Sequence, residues 1–150
     1  MAGRFKQAMF GAAILVAAMA TPSGNAHASS LMTACKVDVA SLCNGVKEGQ
    51  GRISACLFAH GNKISGACKP ELTKVTRSGT FKRMVPAGLN ALKGTERDSK
   101  FREICARDIR SHCGGIGSAT DRILACLYAW SGRIGKPCQA EARAILSGRH

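Results

Sequence analysis

The sequence predicts an all-α fold made of two tandem helical repeats that are stapled by disulfide bonds. The eight cysteines form two sets with identical spacing, at positions 35, 43, 56 and 68 and at positions 105, 113, 126 and 138. Apolar residues around them recur at helical spacing. No segment alternates between apolar and polar residues for long enough to indicate a sheet.

The residues around the cysteines repeat as well. Asp38 and Asp108 each lie three residues after the first cysteine of their repeat, and Arg52 and Arg122 each lie four residues before the third. One constant displacement superimposes the two sets without a gap, which indicates a tandem duplication and gives each position an equivalent in the other repeat. We therefore predict a first repeat over residues 29–76, a basic linker over 77–98 and a second repeat over 99–150.

Each repeat is expected to contain three short helices. Glycine ends the first helix of each repeat, at Gly45 and at Gly114-Gly115, because glycine commonly follows a helix. In the second repeat, Ser118 and Asp121 are spaced as a capping box for the middle helix. The helical positions in the first repeat are Cys35, Val39 and Leu42, then Ile53, Cys56 and Leu57, then Cys68, Leu72 and Val75.

Residues 1–28 have the layout of a secretory signal peptide. Arg4 and Lys6 provide a basic start, residues 8–20 are apolar, and Ala26-His27-Ala28 is an Ala-x-Ala cleavage site. The apolar run falls short of the roughly 20 residues needed to span a bilayer. We expect cleavage after Ala28 and a periplasmic or secreted protein, with an uncleaved membrane anchor as the alternative.

The cysteines behind this signal indicate a disulfide framework, because their number is even and the compartment is oxidising. Structural zinc sites usually contain a close C-x2-C pair, whereas the shortest spacing here is C-x7-C. We therefore expect no metal site and no cofactor.

Helix geometry restricts how the cysteines pair. Residues 35 and 43 of one helix lie about 12 Å apart along its axis, whereas a disulfide requires Cα atoms within roughly 7 Å. Nested and crossed pairings both remain open, and an up-down-up arrangement of helices favours the nested one. The nested pairs are Cys35–Cys68 and Cys43–Cys56, with Cys105–Cys138 and Cys113–Cys126 in the second repeat.

The pattern C-x7-C-x12-C-x11-C, with Asp38 after the first cysteine and Arg52-Ile53 before the third, resembles the cysteine-rich repeat family of Golgi apparatus protein 1, the cysteine-rich fibroblast growth factor receptor. Small secreted bacterial proteins carry similar repeats. The resemblance covers residues 34–72 and 104–142. It implies a disulfide-stapled fold in an oxidising compartment. The growth factors and selectin bound by the many-repeat animal protein do not transfer to two repeats.

The charge points to anionic partners. The chain has a formal net charge of +13, and residues 29–150, which lack Arg4 and Lys6, retain a net charge of +11. Such a charge favours an anionic envelope surface, an acidic glycan or an acidic protein ligand, and no specific nucleic-acid motif is present. A solvated linker without a binding role is the alternative. The candidate surface-binding residues are Lys74, Arg77, Lys82, Arg83 and Lys93.

We expect no enzyme, since the sequence contains no nucleophile elbow, H-E-x-x-H motif or phosphate-binding glycine loop. The repeated Asp38–Arg52 and Asp108–Arg122 pairs are expected to be structural ion pairs or helix caps. The aromatic residues Phe58, Tyr128 and Trp130 should pack on the neighbouring repeat. The predicted function is a non-enzymatic binding or envelope-associated module. The alternative is a thiol- or metal-handling periplasmic protein with some reduced cysteines.

Overall fold

The structure is a computed structural model that describes residues 30–148. The predicted signal peptide, residues 1–28, lies outside the described residues. Within them all regular secondary structure is helical, which confirms the predicted all-α, disulfide-stapled fold. No helix of this part of the chain combines the length and apolar character that a membrane span requires.

The helices follow the predicted order, but a helix that was not predicted, Glu96–Ile104, precedes the predicted three of the second repeat. After a helical turn at residues 30–34, the first repeat contains α1 (Lys36–Leu42), α2 (Arg52–Ala59) and α3 (Cys68–Arg77). The segment between the repeats contains α4 (Gly79–Met84) and a 3-10 helix (Leu89–Leu92). The second repeat contains α5 (Glu96–Ile104), α6 (Ala106–His112), α7 (Thr120–Ala129) and α8 (Lys136–Leu146).

Side-chain caps begin two of these helices. The Ser78 hydroxyl accepts a hydrogen bond from the Phe81 amide at the start of α4 (3.2 Å). The Thr95 hydroxyl accepts one from the Asp98 amide at the start of α5 (3.2 Å). Each satisfies a backbone donor that the first turn leaves without a helical partner.

The predicted capping box at Ser118 and Asp121 is wrong. Helix α7 follows Ala119, which provides no side-chain cap. Ser118 therefore lies one position too early, and its carbonyl oxygen accepts a hydrogen bond from Arg102 (3.0 Å). The Asp121 amide instead donates to Asn90 Oδ1 in the 3-10 helix (3.3 Å), so a side chain distant in the sequence provides the acceptor that the spacing assigned to Ser118.

The centre of the molecule is the contact between α2 and α7, the most extensive between any two helices in the described residues. Alanines with almost no exposed surface line both helices, and the neighbouring Leu57 and Leu127 are completely buried. Alanines four residues apart lie on one face of a helix, and their small side chains let two helices approach closely. The buried alanines are Ala55 and Ala59 on α2, with Ala125 and Ala129 on α7.

Each repeat contacts the other through a pair of equivalent positions. The Arg133 side chain lies over Gly45, and the Lys63 side chain lies over Gly115. Because Gly115 is the equivalent of Gly45 and Arg133 is the equivalent of Lys63, each repeat uses matching positions to touch the other. This reciprocity is the pattern of a two-fold, isologous interface, here formed within one chain.

The segment between the repeats is not solvated throughout, contrary to one of the two interpretations of its sequence. Phe81, Val85 and Leu89 are at most 6% exposed and belong to the hydrophobic core. Phe81 lies on α4, and Val85 follows one helical turn later, directly after the helix ends. Leu89 is the first residue of the 3-10 helix beyond Pro86. The linker therefore contributes side chains to the core.

Candidate binding surface

The structure joins all eight cysteines in disulfides within the repeats. Cys35 bonds to Cys68 and Cys43 to Cys56, with Cα–Cα distances of 4.6 and 6.0 Å. The second repeat copies this with Cys105–Cys138 at 4.8 Å and Cys113–Cys126 at 6.0 Å. This is the nested arrangement favoured from the sequence. No bond crosses from one repeat to the other.

The disulfides attach both ends of the first helix of each repeat. Cys35 lies just before α1 and is bonded to the first residue of α3, while Cys43 lies just after α1 and is bonded to the middle of α2. A bridge that closes a loop of about 15 residues stabilises a fold by roughly 3 kcal/mol. Such support matters because repeats of this size bury little apolar surface.

The repeated aspartates hold the turn that leads into the third helix. Asp38 is buried, and its carboxylate accepts hydrogen bonds from the Ser65 amide (2.8 Å) and hydroxyl (2.7 Å). Asp108 accepts a hydrogen bond from the amide of Gly135, the equivalent of Ser65 (3.2 Å). The role is structural, as expected, but the partners are backbone and hydroxyl donors of the same repeat.

The predicted ion pairs of these aspartates with Arg52 and Arg122 are therefore wrong. Arg52 donates to the carbonyl oxygens of Lys47 (2.9 Å) and Glu48 (2.5 Å) in the loop before α2. Arg122 donates to the Phe58 carbonyl oxygen (2.7 Å), and its guanidinium lies 5.4 Å from the centroid of the Phe58 ring. Both arginines satisfy backbone carbonyl groups and leave the aspartates to other donors.

The aromatic residues lie between the repeats, as the sequence predicts. The Tyr128 hydroxyl donates to the Gln50 carbonyl oxygen of the first repeat (2.7 Å). The Trp130 ring stacks on His112, with centroids 4.7 Å apart. A Cβ atom added at Gly45 would lie 3.3 Å from that indole. These rings therefore help to fix the packing of the two repeats.

His60 occupies the position of Trp130 in the first repeat. Burial lowers the pKa of His60, and the charge of Lys63 lowers it further. Its Nδ1 is buried and has no hydrogen-bond partner among residues 30–148. Residues 30–148 contain no group of three histidine, cysteine, aspartate or glutamate side chains placed to hold a metal ion.

The five candidate cations of the linker region are all exposed. Lys74 and Arg77 lie one turn apart on α3, Lys82 and Arg83 are adjacent on α4, and Lys93 follows the 3-10 helix. Lys74 forms a salt bridge with Glu71 (2.6 Å). In the described part of the chain, the other four have no acidic group within salt-bridge distance.

A groove that the sequence did not predict opens beside Arg83. It has a volume of about 430 Å³ and lies between α4 and the helices α7 and α8 of the second repeat. Arg143 on α8 is a second cation in its lining. The only sequence signal is that Arg143 departs from the repeat, since its equivalent in the first repeat is Thr73.

Comparison with known proteins gives a family match for one part of the chain. The family model described as "Cysteine rich repeat" matches residues 27–65. No curated protein and no solved structure matches the chain. The matched stretch spans three of the four cysteines of the first repeat, and the second repeat has the same disulfides. The resemblance to the cysteine-rich repeat family is thereby confirmed over residues 27–65.

Proposed function

We propose that the protein is a secreted, non-enzymatic binding module that its basic residues hold on anionic surfaces of the cell envelope. The observation that carries the proposal is the exposure of the linker-region cations, of which Arg77, Lys82, Arg83 and Lys93 lack an acidic partner in the described chain. Unpaired exposed cations create a positive potential that attracts anionic surfaces over long range.

Secretion is supported by the disulfides and by the predicted signal peptide. Disulfides form and persist in oxidising compartments such as the periplasm and the extracellular space. Cleavage after Ala28 would release residues 29–150 with a net charge of +11. A net charge of this sign attracts the exported protein to the anionic surfaces of the envelope.

The alternative, a thiol- or metal-handling protein, gains no support from the described residues. All eight cysteines are bonded to one another, and a disulfide sulfur offers no thiolate for nucleophilic attack or metal binding. A binding role draws on surface charge instead, which the chain has in excess.

Surface electrostatics determine how much membrane binding should be lost when cations are neutralised or salt is added. Each lysine or arginine near an anionic membrane contributes about 1 kcal/mol, so three neutral substitutions should weaken binding by up to about 160-fold at low salt. The Debye length falls from about 30 Å at 0.01 M salt to about 3 Å at 1 M. Retention on the surface should therefore fall steeply over this range.

The test is sedimentation of the exported protein with vesicles of phosphatidylcholine and phosphatidylglycerol. The variant replaces three linker-region cations by glutamine, Arg77→Gln, Lys82→Gln and Lys93→Gln. The control makes the same change in charge at exposed residues of the repeats, Lys36→Gln, Arg107→Gln and Lys136→Gln. We expect the linker variant to lose more binding than the control. Binding that is indifferent to salt, or equal losses in the two variants, would contradict the proposed surface.

A further inference from the structure

The groove between α4 and the second repeat has an apolar floor. Leu127 and Ala142 lie at its base and are at most 4% exposed, while Met84 and Leu146 form partly exposed sides. Its volume of about 430 Å³ lies within the range of about 300–1,000 Å³ typical of small-molecule sites. The shape and lining therefore suit a small ligand with an apolar body.

The groove also carries a one-sided charge. Arg83 comes from α4 and Arg143 from α8, and no aspartate or glutamate lies in the lining. Both arginines are exposed, and neither takes part in a salt bridge of the described residues. A guanidinium binds carboxylate and phosphate groups through parallel hydrogen bonds, so the rim is suited to an anionic head group.

The first repeat shows what covers the matching position there. The ring of Phe58 packs on the buried ring of Phe81, with centroids 5.4 Å apart. Tyr128, the equivalent of Phe58 in the second repeat, lines the groove instead. In the described chain no aromatic ring packs on Tyr128. The second repeat thus leaves open an apolar surface that the first repeat fills with a hydrophobic side chain of the linker.

We propose that this groove binds an amphiphile that has a single hydrocarbon chain and one anionic head group. The chain lies on the apolar floor, and the head group is bound by Arg83 and Arg143. Each methylene removed from water tightens binding about fourfold, and the arginines select against cationic heads. The inference shares Arg83 with the proposed envelope surface but can be tested separately from it, because Arg77, Lys82 and Lys93 do not line the groove.

The test is calorimetric titration of the full chain with dodecanoate below its micelle concentration. We expect saturable binding of one molecule, with decanoate at least tenfold weaker because it has two fewer methylenes. Dodecyltrimethylammonium, which has a cationic head, should bind at least tenfold more weakly than dodecanoate. Dodecyl phosphate should also bind, and its affinity relative to dodecanoate shows whether the site prefers a phosphate ester or a carboxylate.

Three variants locate the site. Arg83→Gln with Arg143→Gln should lower the affinity for dodecanoate at least tenfold, and Thr80→Trp should block the groove with an indole while keeping both charges. The control removes two exposed arginines outside the groove, with Arg107→Gln and Arg110→Gln. Circular dichroism establishes that each variant is folded.

Several results would overturn the inference. They are the absence of dodecanoate binding, an affinity that does not depend on chain length, and equal affinities in the groove variant and the control. The vesicle-binding variant with Arg77, Lys82 and Lys93 replaced should keep its affinity for dodecanoate. If it loses dodecanoate binding to the same degree as the groove variant, the interaction is a general effect of charge and the groove is not its site.

Discussion

Replacing Asp98 should destabilise the second repeat more than replacing any exposed acid of the same helix. The Asp98 side chain is buried at the start of α5. Its carboxylate accepts hydrogen bonds from the Arg102 guanidinium (2.8 Å), the Thr120 hydroxyl (3.0 Å) and the Gly94 amide (3.3 Å). It thus connects the end of the linker, α5 and the first residue of α7 through a single charged group.

The expected cost of Asp98→Asn follows from these bonds. A hydrogen bond to a charged group contributes about 1.5–3 kcal/mol, and a buried donor left without a partner costs roughly a further 1–3 kcal/mol. Asparagine keeps the shape and one acceptor oxygen, but it turns an NH2 group towards the remaining donors. We therefore expect a loss of about 2–3 kcal/mol in the free energy of unfolding at neutral pH.

The loss should depend on pH. Burial acts to raise the pKa of Asp98, but the hydrogen bonds from Arg102, Gly94 and Thr120 outweigh it and hold the pKa below its ordinary value. A carboxyl with a lowered pKa in the folded state stabilises the fold above its unfolded pKa of about 3.9. That contribution is lost as the pH falls through the folded pKa, so the aspartate and asparagine forms should converge in acid.

Urea unfolding of the disulfide-intact protein measures this difference, at pH 7 and again below about pH 3. The control is Glu103→Gln, which neutralises an exposed acid on α5 and should change the free energy of unfolding by less than about 0.5 kcal/mol. If Asp98→Asn costs no more than this control, or costs the same at both pH values, the carboxylate does not have the role that its contacts indicate.

Three further results are expected. The exported protein should begin at Ser29 by N-terminal sequencing, and an intact Met1 in a membrane fraction would indicate an anchor instead. The denatured, unreduced protein should show no free thiol by thiol titration, and cleavage between Lys82 and Lys93 should give two fragments that separate in denaturant without a reductant; fragments that stay linked would indicate a disulfide between the repeats. Phe81→Ala should destabilise the fold by about 3–5 kcal/mol in urea unfolding, whereas Lys82→Ala should change it by less than about 0.5 kcal/mol; equal effects would mean that the linker is not part of the core.

The sequence was most informative where covalent and hydrophobic requirements coincide. A bonded cysteine must face its partner inside the protein, so Cys35, Cys56 and Cys68 each mark the buried side of the chain. Their spacing therefore located the helices to within a few residues. Because the duplication shows the pattern twice, a feature shared by both repeats could be distinguished from one that occurs by chance in a single repeat.

Polar partners were harder to predict, because hydrogen bonds depend on which donors the fold brings near. The recurrence of Asp38 and Arg52 suggested that they pair, yet Ser65 and two loop carbonyl groups satisfy them separately. The groove could not be predicted for a related reason. Its arginines, Arg83 and Arg143, are far apart in the sequence and line one groove only because α4 packs beside the second repeat.

The reciprocal contacts between the repeats have an evolutionary consequence. Matching positions meet across the interface, as Gly45 meets Arg133 and Gly115 meets Lys63, so a single repeat has a face that is complementary to a copy of itself. An ancestral repeat with this face would have assembled as a homodimer. Fusion of two such repeats would replace that association by an intramolecular one, in which the linker raises the effective concentration of each repeat for the other. Once joined, the halves could acquire different residues at equivalent positions, and His60 and Trp130 are such a pair.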